Sequence, residues 1–160
     1  KVREGDRFEV PAGAQLRLVY FKSAREERWK GPAGFRADEL HGSLISGTPA
    51  EVVQLPISVS QRIARVPELM RNAELGGIQV RGLPSAPPKE SVEGARSTYE
   101  KLLRQLPPDD ITAELYLCSA LSDYGLFDEM MPLAKEMLRK QPGNEAVASL
   151  AAWLQQRAKQ

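Results

Sequence analysis

Asp38, Glu39 and His41 stand side by side in sequence, two carboxylates next to the only imidazole of this 160-residue chain. A carboxylate that orients an imidazole beside a hydroxyl or thiol is the arrangement of general-base catalysis, so an enzyme-subunit or hydrolase site would assemble here. No nucleophile accompanies the three residues in a local motif. A sole histidine cannot build a multi-histidine metal cluster, and mixed ligation with Cys118 and an acid would need long-range convergence that the spacing does not support. Next to Gly42, His41 reads as a loop residue. Acid pairs also occur at Glu26-Glu27, Asp109-Asp110 and Asp128-Glu129. Acid/base work on a glycoside needs two carboxyls facing one cleft, whereas neighbours on a strand face opposite sides and acids at helix starts serve capping and the positive dipole end. Cys118, the only cysteine, lies in the apolar stretch 115–121 and reads as a buried, inert thiol. The expectation is no enzyme, no metal and no cofactor.

Charge narrows the partner classes. Lys and Arg total 22 against 21 acidic residues, a balance that argues against nucleic acid, which calls for concentrated positive charge. Lys22, Arg25, Arg28, Lys30 and Arg36 do lie close together. If their strands pair, Arg25, Arg28 and Lys30 form a positive hairpin patch for an acidic partner or lipid headgroup, the alternative being solvated hairpin charges. Arg62, Arg65 and Arg71 could share part of a helix face, but Pro67 interrupts it. No run of about 18 apolar residues is present to span a bilayer. The start at Lys1 is read as that of a processed product or fragment, which leaves export open and places any membrane anchor outside the sequence given.

The elements that must position these residues follow from periodicity. Phe8 and Val10 alternate with charged neighbours, 11–13 supplies a turn, and Leu16, Leu18 and Tyr20 alternate with Gln15, Arg17 and Val19, giving strands with one buried face. Residues 22–25 read as a hairpin connection and 27–30 as its return strand, which Gly31-Pro32 ends. Short strands are expected at 34–37, 43–45 and 51–55. From Ser58 the period changes to helical, with Ser58 or Ser60 as cap, Ile63, Val66, Leu69 and Met70 as an uneven apolar stripe, and Pro67 bending or dividing the helix. Residues 78–80 can add a last strand. Pro84, Pro87 and Pro88 mark 83–90 as a stiff linker. Four helices follow: 91–106, one capped by Asp109 or Asp110, 128–140, and one beyond Asn144. The predicted fold is α+β, a small antiparallel β sandwich or rolled sheet followed by an antiparallel helical repeat domain. Its expected parts are 1–82, with a helical insertion near 58–74, then the linker 83–90, then 91–160.

The helical part resembles the tetratricopeptide-repeat family. With Ile111 as the first position of a unit of about 34 residues, Leu117, Cys118 and Leu121 take the large, small and large positions of helix A, and Gly125 falls at the turn. Met130, Ala134 and Met137 take the helix B positions, and Pro142 the terminal proline. Glu114 departs from the pattern, standing where the family often has tryptophan. The resemblance implies a helical hairpin whose Thr112, Leu115, Ser119 and Ser122 lie on the concave side, where family members hold a peptide or another protein. Their size and polarity equally suit intrachain packing.

Residues 1–56 resemble the FecR family of bacterial envelope domains through Val2-Arg-Glu-Gly-Asp6, the stretch Val10-Pro-Ala-Gly-Ala-Gln-Leu-Arg-Leu-Val-Tyr20, and Trp29-Lys-Gly-Pro-Ala-Gly-Phe35. The departure is 22–24, where the family usually carries an Asp-Gly turn. This resemblance implies an exported protein of the periplasm or cell envelope. Together the two point to a noncovalent protein-binding or assembly module, an accessory protein whose partner is another protein or peptide. The alternatives are an enzyme site around Asp38, Glu39 and His41, and a purely structural domain pair.

Overall fold

The computed structural model describes residues 2–74 and 90–157, without the side chains of 72–74. The fold is α+β: two three-stranded antiparallel sheets followed by a run of helices. The chain divides into two compact units, Lys1–Ala64 and Arg65–Gln160.

In the first unit β1 (Arg7–Val10), β4 (Ala33–Ala37) and β5 (Gly42–Gly47) form one sheet in the order β1-β4-β5. β2 (Gln15–Tyr20), β3 (Arg25–Lys30) and β6 (Glu51–Gln54) form the other, in the order β2-β3-β6. The alternation seen in sequence is met by the register: Leu16 pairs with Trp29 and Leu18 with Glu27, so one face of β2 and β3 carries the apolar set. Val10, Trp29, Ala33 and Phe35 form the core, with Phe8, Leu16, Leu18 and Ala50 packed against it. Trp29 stacks on Phe35 with ring centroids 4.0 Å apart and planes within 7°. The 21–24 connection uses Ala24 at φ 50°, a left-handed conformation normally left to glycine or asparagine. β5 is an edge strand with a bulge opposite Gly34 and Phe35, and its Leu44 and Ile45 are exposed.

The unit closes with α1 (Ile57–Ile63), for which neither expected serine acts as cap. Pro56 holds the cap position without a side-chain bond. Ser60 is instead buried and donates through Oγ to the Phe21 carbonyl at 2.8 Å, because the helix starts before it and leaves its hydroxyl free to reach the β2–β3 turn.

Pro67 falls in the first turn of α2 (Val66–Glu74), where its missing N–H is no loss, so the expected division of the helix occurs at 64–65. The boundary between units falls there too. This differs from the expected parts 1–82, 83–90 and 91–160: α2 packs against α6 and α4 and so belongs to the helical unit. The strand expected at 78–80 and the linker 83–90, Glu90 excepted, lie outside the described residues.

In the second unit α3 (Val92–Gln105), α4 (Thr112–Asp123), α5 (Phe127–Lys140) and α6 (Glu145–Arg157) pack each on the next. Ser91 caps α3 by accepting from Gly94 N at 3.1 Å. Ile111 stands at the cap position of α4, while Asp110 Oδ1 takes the Thr112 amide at 2.7 Å. Asn144 Oδ1 accepts from Val147 N at 3.2 Å and opens α6. Ala95, Leu102, Tyr116, Leu117, Cys118, Leu121, Met130, Ala134, Met137 and Leu150 are buried. The compact Cys118 and Ala134 thus lie inside the unit together with the larger methionines.

Candidate functional site

Asp38, Glu39 and His41 occupy the β4–β5 turn, and the two carboxylates are already engaged. Asp38 N donates to the His41 carbonyl at 2.9 Å. The Asp38 carboxylate accepts from the Ser43 hydroxyl and from Arg36 Nε, the latter at 2.9 Å. The Ser43 hydrogen bond first, then Arg36, holds its pKa below the usual carboxylate value. Glu39 is held low in the same way by Lys22. His41 is exposed, and its ring makes no hydrogen bond among the described residues. A base needs a proton-accepting imidazole or carboxylate aimed at a substrate, and here both carboxylates are directed at cations and a hydroxyl.

The hairpin cations are likewise neutralised within the sheet. Arg25 Nε lies 2.7 Å from Glu27, Arg28 reaches Glu51 at 3.4 Å and Glu26 at 3.5 Å, and Lys30 lies 2.5 Å from Glu51. Lys30 has lowered the pKa of Glu51. Strand register explains the pairing, since Arg28 stands opposite Glu51. Arg25, Arg28 and Lys30 are thus each ion-paired within their own sheet.

The concave-side residues of α4 are brought onto one stripe but not uniformly exposed. Thr112 and Ser119 are buried, while Leu115 and Ser122 are half-buried. α2 is the reason on the Leu115 side. Its Val66 and Met70, both buried, lie with Pro67 and Arg71 along an open cavity of about 440 Å³ whose other walls are Ile111, Leu115, Asn144, Ala146 and Val147. The cavity thus sits between α2 and the first turns of α4 and α6, with apolar walls and two polar residues. Sequence periodicity marks Val66 and Met70 as an apolar pair; it carries no signal that their packing partners are about 40 to 80 residues further on.

Arg65 fixes the start of α2 with a two-pronged ion pair to Asp123, Nη2–Oδ1 3.1 Å and Nη1–Oδ2 3.3 Å. Elsewhere in the unit Glu114, at the departure from the repeat pattern, is fully enclosed. Its Oε1 accepts from Lys140 Nζ at 2.6 Å, and the same ammonium donates to the Asp110 carbonyl at 3.0 Å.

Burial, reinforced by Glu114, pushes the Cys118 thiol up to about 12, and burial first raises Tyr20 and Tyr99 to about 12 as well. These groups keep their protons in the folded protein after the unfolded chain has begun to lose them. Their contribution is complete well below pH 9, the midpoint of an ordinary thiol's ionisation, and is lost as pH rises toward 12. Urea midpoints will accordingly fall from pH 9 upward, and a thiol-reactive dye at pH 8 will label Cys118 only in denaturant. Rapid labelling of the native protein would show the thiol to be accessible.

Among the described residues no group of three or more His, Cys, Asp or Glu side chains could hold a metal ion. No helix there is long and apolar enough to cross a membrane. Comparison with protein-family models, with curated proteins and with solved structures finds no match to this chain.

Proposed function

We propose that the chain is a noncovalent protein-binding or assembly module whose docking surface is the α2–α4–α6 cavity of the helical unit. The observation that carries this reading is the cavity itself: open, apolar-walled, and lined by Leu115 of the predicted concave stripe. An apolar-walled groove between helices is the form in which an amphipathic peptide segment is commonly held. The tetratricopeptide-like spacing around Cys118 and Gly125 supports the same surface, and the FecR-like strand pattern supports a place at the bacterial cell envelope.

The second reading, a purely structural pair of units, draws support from burial of Thr112 and Ser119 and from the seat α2 takes against α4 and α6. An enzyme site at Asp38, Glu39 and His41 draws less, because ion pairs occupy its carboxylates.

Leu115→Arg separates these readings. Half-buried at the cavity wall, it tolerates a long side chain that snorkels outward while a cation intrudes on the apolar surface. Crosslinking capture from envelope fractions with the wild type is expected to yield a specific partner, and L115R to lose it at least tenfold with an unchanged helical circular dichroism spectrum. Equal recovery by both proteins would count against the cavity as the docking surface.

A further inference from the structure

We infer that the occupant of the α2–α4–α6 cavity is an acidic-apolar peptide segment, whose apolar side chains enter the cavity while an aspartate or glutamate beside them takes Arg71. This rests on the proposed reading of the cavity as a docking surface and names the chemistry of what docks.

The walls combine an accessible apolar surface with a single charge. Leu115 and Ala146 are half-buried and Pro67 is exposed, so apolar atoms remain in water there and covering them is favourable. Arg71 is the only charged residue among the walls. In the rest of the helical unit Arg65 holds Asp123, Arg96 holds Glu129, Arg139 holds Glu136 and Lys140 holds Glu114. Arg71, by contrast, is exposed and makes no ion pair with a described residue. Asp110 and Glu114, beside two wall residues of α4, are committed to the Thr112 amide and to Lys140. Asn144, the other polar wall, is spent as well: its Nδ2 donates to Gln141 Oε1 at 2.9 Å and its Oδ1 accepts from Val147 N at 3.2 Å. Polar selectivity at the cavity therefore falls to Arg71. A guanidinium matches a carboxylate with two parallel N–H bonds, and the pairing strengthens as a docked side chain displaces water around it.

The open form of the cavity favours a peptide over a free small molecule. A small ligand is held by enclosing most of its surface, which a cavity open to solvent does not do. A segment lying across the mouth sends side chains inward and keeps its backbone in water.

Selection of random peptides displayed on phage against the full chain tests the chemistry. Enriched sequences are expected to carry Asp or Glu close to Leu, Ile or Phe, and selection on Arg71→Glu to keep the apolar residues while exchanging the acid for Lys or Arg. The most enriched peptide, fluorescein-labelled, is expected to bind Arg71→Gln about tenfold more weakly than the wild type and to be lost on Leu115→Arg. Apolar sequences without a charge preference, the same from wild type and Arg71→Glu, would overturn this inference and leave the docking surface standing. Peptides that bind Leu115→Arg as tightly as the wild type would remove both readings. No enrichment would also overturn the inference, and Arg71-dependent binding of decanoate would then make the cavity a small-molecule site. Loss of the helical signal in both Arg71 variants would make Arg71 part of the fold and overturn its assignment to a partner.

Discussion

Lys140→Met will lower the stability of the helical unit by about 3–5 kcal/mol, the cost of leaving one member of a buried ion pair alone. Lys140 and Glu114 have side-chain exposures of 7% and 1%, so water cannot replace the ammonium. The Asp110 carbonyl loses a donor at the same time. A fall of about 10 °C or more in the thermal transition, followed at 222 nm, is the expected reading. The double variant Glu114→Leu/Lys140→Met removes both charges and will recover much of the loss, since apolar replacements of a buried pair are commonly neutral or stabilising. A K140M protein as stable as wild type would mean that water reaches Glu114.

Glu27→Ala will damage the β unit by a similar amount, about 3–5 kcal/mol. The Glu27 carboxylate is fully buried and gathers three donors: Arg25 Nε at 2.7 Å, Trp29 Nε1 at 3.1 Å and Gly42 N at 2.9 Å. Removal strands an indole N–H and a backbone N–H in the core and unties β3 from the start of β5. Gly42 cannot compensate, because a Cβ there would lie 2.6 Å from Trp29 Cζ2. Glu27→Gln keeps one acceptor oxygen and will lose less. Tryptophan fluorescence during urea unfolding reads the change through Trp29, and an unaltered midpoint for Glu27→Ala would show that the three donors find other acceptors.

The strands and helices were legible because their apolar residues recur at two and at three to four positions, as with Leu16, Leu18 and Tyr20 or Tyr99, Leu102 and Leu106. The break near Pro67 was legible too, displaced only to 64–65, just ahead of α2. Less visible was the side to which α2 belongs. Its apolar pair carries the same periodicity whichever unit it packs on, and the deciding partners Ile111 and Val147 are remote in sequence. The hairpin cations illustrate a second gap: Arg28 and Lys30 look like a positive patch until β6 brings Glu51 across from them. Glu27 is the third. A run such as Arg25-Glu-Glu-Arg-Trp29 reads as a solvated strand, yet alternate residues send Glu27 inward with Trp29 and place its donors around it.

The rim of β5 has a consequence for solubility. Its six residues, Gly42 to Gly47, carry no charge, the composition that ordinarily invites a foreign backbone to zip on. Two features deny it a long ladder: Glu27 already claims the Gly42 amide, and the surplus residue at Ile45 throws the following groups out of step. An intruding ribbon would lose its alignment within a few residues, so this sticky-looking border is blunted by geometry instead of by lysine.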